Sequence, residues 1–594
     1  LLAIPDAVLG VTRSLALRRW RWRADLPGAG AERVGLGIAQ ALDLPEIIGR
    51  LLALRGIDLD SAAHFLDPTL RALLPDPSVF IDMDAAAARL AHAVRQGETV
   101  AVFGDYDVDG ACSAALMVLF LRALGCQVLA HVPDRIAEGY GPNAPALAGL
   151  VARGAGLIVC VDCGTTAATA LAAVHGQADV VVLDHHKAEG PPPAVLATVN
   201  PNRLDCRSGM AHLCATGVAF LTAVATLRLL RRDGALAAEP DLRDLLDLVA
   251  LATVCDVMQL TGLNRAFVAQ GLKVMARRPR AGIAALMEVA QVRDAPTAAT
   301  CGFALGPRIN AAGRISEADL GLRLLLCEDA VEARALAERL DAINRDRQAV
   351  EQAMQEAAVT AAAEQAQAGH AVLLIAGAGW HPGVIGIVAG RLRERFNRPC
   401  CVGAVADGLV RGSGRSVPGL DLGAAVLAAR QAGLLHSGGG HAMAAGFALE
   451  ADGLAAFHAF LDERLAAAAT LPSAADLAVD ATLAVAGATV DVARTLARLA
   501  PFGAGNEEPV FVLPRARVLR ADRIGREGGT IRAFAEGEGG GRLKLLLFRA
   551  GEGALAQALS ARPGVPLHLA GHLRADTWNA TTTAGFSVLD AAPA

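Results

Sequence analysis

Thr99-Val-Ala-Val-Phe-Gly-Asp105-Tyr-Asp107-Val-Asp109-Gly110 decides the fold of this chain. Its apolar, partly β-branched run predicts a buried strand that ends in alternating aspartates. Gly110 lets the backbone turn, and Ala111–Leu124 has the composition of a helix. If the segment stays extended, Asp105, Asp107 and Asp109 point the same way. In doubly wound sheets, ligands gather at the carboxyl ends of the strands. Taken alone, such a cluster reads equally well as a solvated acidic turn.

The pattern repeats along the chain. Leu157-Ile-Val-Cys-Val-Asp162-Cys-Gly164 is a second apolar strand ending in an aspartate, and Val180-Val-Val-Leu-Asp184-His185-His186 is a third. The helix-like segment Asp244–Val254 leads into Cys255-Asp256. Carboxylates this dense repel one another unless cations sit among them. Hard oxygen donors with a minority of imidazole favour Mg²⁺ or Mn²⁺ over zinc or copper. Two such ions, ~3.5–4 Å apart, can clamp the attacking and leaving oxygens of an in-line phosphoryl displacement. A shared carboxylate is the natural bridge, and no serine or cysteine nucleophile is then needed.

Working outward, residues 80–325 alternate strands with helices. Thr99–Phe103, Val128–Val132, Leu157–Val161 and Val180–Leu183 are the strands, with helices such as Ala111–Leu124 and Ala167–Val174 between them. This alternation predicts a doubly wound parallel sheet. Residues 328–368 are rich in Glu, Arg, Gln and Ala, with neither Gly nor Pro before Gly369. They predict one helix of about 60 Å joining two lobes, the alternative being two helices with a bend. Residues 370–465 resume the α/β alternation. Residues 470–594 carry short strands and Gly-rich turns, as in a small β-barrel or sandwich. Residues 1–75 open on Arg18-Arg-Trp20-Arg-Trp-Arg23 and continue as short amphipathic helices. Interleaved cations and indoles can grip a single strand, or they can form a solvated, poorly ordered arm.

Composition narrows the class. A chain of 594 residues, 53% apolar, is too long for one core and predicts about three to five domains. A net charge of −5 rules out a globally basic nucleic-acid coat but leaves room for a local basic groove. Lys187, Lys273 and Lys544 are the only lysines among 55 basic residues, so phosphate contacts would fall to arginine. Eleven scattered cysteines suit a reducing cytoplasm, and Cys160-Val-Asp-Cys163 lacks the second pair of a zinc site. No cleavable signal is evident. Two uncharged runs, Ser208–Leu227 and Gly369–Gly390, contain polar residues and helix breakers. They read as buried strand–turn–helix pieces rather than membrane spans.

Asp-Tyr-Asp-Val-Asp-Gly (105–110), Val-Asp-Cys-Gly (161–164), Asp-His-His (184–186) and Thr-Val-Cys-Asp (253–256) occur in an order that resembles the DHH phosphoesterase superfamily. Within it, the chain is similar to the RecJ family of bacterial single-strand exonucleases. Asn200-Pro-Asn202, Pro307-Arg-Ile-Asn310-Ala-Ala-Gly-Arg314 and Trp380-His-Pro-Gly-Val-Ile-Gly-Ile add to the likeness. Arg411-Gly-Ser-Gly-Arg415-Ser and Gly438-Gly-Gly-His441-Ala-Met-Ala-Ala-Gly446 look like the associated DHHA1 domain. Pro501-Phe-Gly-Ala-Gly-Asn506-Glu-Glu-Pro509 looks like the lead into an OB fold.

The resemblance implies a division into an N-terminal region (1–78), a DHH catalytic domain (79–327), a connecting helix (328–368), a DHHA1 domain (369–467) and an OB-like barrel (468–594). It implies two divalent ions, Mn²⁺ or Mg²⁺, with Asp162 bridging both. Asp107 would serve one ion, and Asp109, His185 and Asp256 the other. His186 would face the scissile phosphate and Asp184 would orient the pair. Asp105 stays open between ligand and support.

Arg308, Asn310 and Arg314 would reach the cleft, with Arg308 as the phosphate contact and a structural salt bridge as the alternative for Arg314. His381, Arg411, Ser413, Arg415, Gly439, Gly440 and His441 would hold the substrate backbone, the glycines as an anion-binding nest. Phe511, Phe534, Phe548 and Trp578 are the stacking candidates of the barrel, each of which can equally be core. Cys163 stands where the family usually has Asn, Cys255 where a small residue is common, and Ala580 where Gly is frequent.

The implied activity is 5′→3′ hydrolysis of single-stranded DNA to 5′-mononucleotides, in DNA repair and recombination. A single-strand-binding protein and a helicase are the implied partners, and a cytoplasmic monomer the implied state. The alternatives are a DHH enzyme for short oligonucleotides, cyclic dinucleotides or pyrophosphate, and a non-catalytic scaffold.

Overall fold

The computed structural model describes residues 7–23, 29–135, 138–188, 190–236, 238–472, 474–525, 528–560, 565–578 and 581–594. Two compact units emerge. One comprises His64–Asp346 with Ala500–Glu507, the other Leu1–Ala63, Arg347–Leu499 and Glu508–Ala594.

In the first unit, β1 (Thr99–Gly104), β2 (Gln127–His131), β3 (Leu157–Val161), β4 (Asp179–Leu183) and β5 (Ala197–Val199) form one sheet. Their order is β2-β1-β3-β4-β5 and every pairing is parallel. Both faces are covered, which is why the strands read as continuous apolar runs. Val100, Val102, Val159 and Val181 pack into one core with residues of the helices Met83–Gln96, Val108–Ala123 and Ala215–Arg232. Ala101, Phe103, Ile158 and Val182 pack into another with Leu147, Leu150 and Leu171. The strand order reverses between β1 and β3, so a crevice opens at their carboxyl ends.

The expected strands all form, each within one residue of its predicted bounds, and the doubly wound sheet is the one anticipated. Predicted helix Ala167–Val174 shortens to Ala168–Ala172, and the segment leading to Asp256 is helical over Leu246–Cys255. Ser208–Leu227 is loop followed by helix rather than strand–turn–helix. Gly369–Gly390 contains the expected strand, turn and helix. No helix among the described residues is long and apolar enough to cross a membrane.

Ala330–Gln367 is one helix of 38 residues, without the alternative bend. Ala333, Leu336, Ala337 and Leu340 are buried along its first turns, and Met354, Ala358 and Ala362 later. Both sets have helical spacing.

The second unit contains β6 (Leu373–Ala378), β7 (Cys400–Ala406), β8 (Leu409–Arg415), β9 (Ser437–His441) and β10 (Ala444–Glu450), in the order β9-β10-β8-β7-β6. Only β6–β7 is parallel. Towards the C-terminus, β11 (Phe511–Ile524), β12 (Thr530–Glu536), β13 (Arg542–Phe548), β15 (Thr581–Pro593) and β14 (Pro566–Trp578) pair in that order, and β14 returns to β11. The circuit is a five-stranded barrel, to which Ala481–Thr482 adds a short parallel strand along Phe511–Val512.

The Arg/Trp cluster is packed on the barrel rather than a poorly ordered arm. Trp20–Trp22 pairs in parallel with Leu477–Val479. Trp20 is fully buried, and its indole N–H donates to Asp590 at 2.9 Å. Arg19 is bound to Asp476 and Arg23 to Asp480. An indole buries too much apolar surface to stay in solvent when a barrel wall is available.

Candidate metal centre

β1 delivers Asp105, which is buried, and the chain then turns into the helix Val108–Ala123. Asp107 is the N-cap of that helix and accepts from Gly110 N–H at 3.0 Å. The chain therefore leaves the extended conformation after Asp107, contrary to the alternating geometry expected, and Asp109 projects from the first helical turn. Gly110 serves close approach: a Cβ there would lie 2.4 Å from the Asp105 carbonyl oxygen.

β3 delivers Asp162, buried and in the left-handed region at φ 59°, and β4 delivers Asp184, His185 and His186. Asp256 caps the helix Leu246–Cys255.

These residues converge as three groups. Ligand atoms of Asp105, Asp107 and Asp162 lie within 4.8 Å of one another, as do those of Asp109, His185 and Asp256, and of Asp162, His185 and His186. His185 Nε2 lies 3.3 Å from Asp162 Oδ1, 3.5 Å from Asp256 Oδ2 and 3.7 Å from Asp109 Oδ2. Asp162 thus stands between a carboxylate group and a histidine-containing group, as a bridging residue would.

Three buried oxygens here, Asp105 Oδ1, Asp162 Oδ1 and Asp256 Oδ2, have no hydrogen-bond partner. Burial, with Asp109 and Asp107 close by, holds the Asp162 carboxyl far above the usual carboxylate range. Burial and Asp107 push Asp105 up to about 7, and burial and Asp109 push Asp256 up to about 8. Divalent cations relieve this crowding and satisfy such oxygens, so the residues present fit two metal ions.

Surrounding groups fix the ligands. Asp184 Oδ1 accepts from the backbone N–H of His185 at 2.7 Å and of His186 at 3.1 Å, and lies 2.8 Å from His186 Nδ1. Burial would raise the Asp184 carboxyl, but its bonds to His186 outweigh this and hold it below the usual range. Burial likewise works against charge on His186, yet Asp184 pushes it up to about 9. Asn200 and Asn202 donate to the carbonyls of His186 and His185. Asp109 accepts from Ala215 N–H, Thr216 N–H and the Thr216 hydroxyl, at the start of the helix Ala215–Arg232.

The sequence reading missed Tyr140. Its hydroxyl donates to the Asp162 carbonyl at 3.2 Å and lies 3.2 Å from His186 Nδ1. The chain has two tyrosines, and both are here: Tyr106 and Tyr140 rings stand 6.4 Å apart, edge to face. That rarity, with the flanking Gly139 and Gly141, was the available signal.

Other expected residues have partners of their own. Asn310 accepts from Val108 N–H at 3.2 Å, so it supports the Asp107 turn. Arg308 pairs with Asp341 at 2.9 Å and donates to the Ala304 carbonyl. Arg314 lies near Tyr106, whose hydroxyl burial holds above its ordinary value, and a Cβ on Gly313 would meet the Tyr106 carbonyl at 2.5 Å. Cys163 is core, its thiol donating to the Val161 carbonyl at 3.4 Å, and Cys255 donates to the Cys301 carbonyl at 3.4 Å. Pro501–Asn506, expected as the lead into the barrel, packs within the catalytic unit. Leu260 N–H donates to Ala504, and buried Arg265 donates to the carbonyls of Ala500 and Pro501.

In the second unit, Ser413, Gly446 and Gly439 share one row across β8, β10 and β9, and Arg415, Ala444 and His441 share another. Arg415 donates to the Ser413 hydroxyl at 2.9 Å. A Cβ on Gly386, at the start of the helix Ile385–Phe396, would lie 3.0 Å from Arg415 Nη2 and 3.1 Å from Ser413 Oγ. An arginine, a hydroxyl and a helix N-terminus, groups of the kind that attract anions, thus lie side by side. Gly440, at φ 151°, admits no side chain beside the Ala444 carbonyl. Arg411 is exposed on β8. His381 Nδ1 accepts from Gly383 N–H at 3.1 Å. On the barrel, Phe511 is buried while Phe534 and Phe548 are exposed. Ala580 and the Trp578 side chain lie outside the described residues.

Comparison with known proteins agrees with this geometry. The DHH family N-terminal domain matches residues 99–253, the DHHA1 domain 367–467 and the RecJ OB domain 479–590. The single-stranded-DNA-specific exonuclease RecJ of Escherichia coli is 38% identical over 84% of this chain and 88% of its own. RecJ of Bacillus subtilis is 32% identical over 97% of this chain and 71% of its own. The crystal structure of RecJ from Thermus thermophilus with Mn²⁺ matches 96% of this chain and 79% of its own, at 32% identity and a TM-score of 0.78. The Mg²⁺ complex of the same protein matches with a TM-score of 0.74 at 31% identity, over 97% of this chain and 78% of its own. With the metal-ligating groups in place on the sheet that such a site requires, this chain belongs to the RecJ family.

Proposed function

We propose that the chain is a single-stranded-DNA-specific exonuclease, acting 5′→3′ and releasing 5′-mononucleotides in DNA repair and recombination. The observation that carries this reading is the pair of ligand groups meeting at Asp162. Asp107 and Asp162, with Asp105 beside them, would hold one divalent ion, and Asp109, His185 and Asp256 the other, with Asp162 shared. Mn²⁺ or Mg²⁺ bound there supplies charge neutralisation and an acidified water. Asp184 favours the protonated form of His186, which would let His186 donate to an oxygen of the scissile phosphate. Tyr140 fixes the ring that makes this contact. The row formed by Ser413, Gly446 and Gly439, with Arg415, Arg411, Gly440, His441 and His381, would receive the strand's phosphates.

The barrel supports a polymeric substrate over a dinucleotide or pyrophosphate. Phe534 lies opposite Arg520 on one neighbouring strand and Lys544 on the other, giving a ring and charges on one face. A scaffold role is disfavoured because every proposed ligand is retained. A single-strand-binding protein and a helicase as partners, a monomeric state and a cytoplasmic setting belong to the same proposal. The eleven unpaired cysteines fit a reducing compartment.

The test is 5′-labelled single-stranded DNA with Mn²⁺ and the purified chain. Label released first as mononucleotide supports the reading. Label retained until late digestion would reverse the polarity, and equal cleavage of blunt duplex would remove the single-strand specificity.

A further inference from the structure

The second unit carries another group of metal-ligating side chains, made by residues with no part in the proposed reaction. His458 and Asp462 lie one turn apart on the helix Leu454–Arg464, so both project from the same face. His370 comes from the turn before β6 and stacks on His458, with ring centroids 4.6 Å apart. A ring nitrogen from each histidine and an Asp462 oxygen lie within 4.8 Å of one another.

The carboxylate is aimed. Asp462 Oδ1 accepts from Val372 N–H at 2.8 Å, which leaves Oδ2 against His370 Nδ1 and 3.8 Å from His458 Nε2. The Val372 carbonyl accepts from His458 Nε2–H at 2.7 Å, so metal binding through Nε2 would displace that proton and leave the carbonyl as a further oxygen at the edge of the group. Asp462 also sits in the last turn of its helix, where the backbone carbonyls favour a cation. The neighbouring Arg398 guanidinium is bound to the carbonyls of His370, Ala366 and Ala469.

The geometry points to a divalent transition-metal site at His370, His458 and Asp462, separate from the catalytic centre. Two imidazoles and one carboxylate suit Zn²⁺, with solvent completing the shell at the partly exposed His370. Bound there, the ion would fasten the helix Leu454–Arg464 to the start of β6 and stabilise the second unit increasingly, as the logarithm of free metal above Kd.

The experiment uses the full-length chain and Zn²⁺ alone. Bound metal is counted after equilibrium dialysis, and the thermal midpoint is followed against Zn²⁺ concentration. Asp162→Ala supplies the background, so that the count is not dominated by the catalytic centre. Asp162→Ala/His458→Phe is expected to bind one equivalent of Zn²⁺ fewer than that background, with the Zn²⁺-dependent rise in the midpoint of the second unit lost as well. His370→Gln, at a partly exposed position, makes the same comparison should the His458 variant not fold. An unchanged zinc count and an unchanged midpoint response in the folded variant would overturn the site and leave a hydrogen-bonded cluster only.

Discussion

The hydroxyl of Tyr140 lies 3.2 Å from Nδ1 of His186, the imidazole whose protonated form Asp184 favours. The same hydroxyl donates to the Asp162 carbonyl. One phenol thus links the backbone of the central carboxylate to the ring proposed to face the phosphate. Tyr140→Phe is expected to lower kcat about 10-fold or more, with metal binding little changed. A kcat equal to that of the parent would show that His186 holds its place without the phenol.

Asp184 shapes the site without being a proposed ligand. Its removal frees the His185–His186 backbone, and disrupting such outer contacts typically costs ~10–100-fold in metal affinity or activity. Asp184→Asn should weaken Mn²⁺ binding within that range, measured by titration calorimetry. Asp162→Ala should abolish activity outright, and persistent cleavage would remove its bridging role.

Trp20 predicts a coupling between the N-terminal residues and the barrel. Trp20→Phe keeps the ring but deprives buried Asp590 of one donor, which costs about 1–3 kcal/mol. The loss should show as a lower urea midpoint for the second unit, with the metal centre of the first unaltered.

His568 makes the barrel sensitive to acid. Burial first, then Arg515, holds this imidazole below its ordinary value, and its Nδ1 accepts from Arg515 N–H at 3.2 Å. The native state therefore binds fewer protons than the unfolded state. Stability contributed by neutral His568 is present above the unfolded pKa of about 6.5 and declines as pH falls towards the lowered folded value. Thermal midpoints measured from about pH 7.5 to about pH 5 should fall more steeply for the parent than for His568→Gln.

Phe534 and Phe548 stand exposed on the barrel and share one face of β12 and β13. Phe534→Ala should weaken binding of a long single strand by about 1–3 kcal/mol if a base stacks on it. Cleavage of a dinucleotide should stay at the parent rate. Loss of dinucleotide cleavage with intact strand binding would reverse the assignment.

Much of this protein was decided locally. The strands Thr99–Gly104, Leu157–Val161 and Asp179–Leu183 are buried on both faces, so apolar runs bounded by glycine and aspartate announce them. The parallel sheet and the aspartates at its carboxyl edge follow from that pattern, as does the helix Ala330–Gln367 from its composition. Residues brought together across long sequence separations were not legible in this way. Nothing local tells that Trp20 meets Asp590, that Asn310 supports Asp107, or that Arg308 is taken up by Asp341. A polar side chain chooses its partner from whatever groups burial leaves unsatisfied nearby, and only the folded chain sets that neighbourhood. Asp105, Asp107 and Asp109 show both halves: their presence at a strand end was readable, but the helix beginning at Val108 separated Asp109 from the group that Asp105 and Asp107 share.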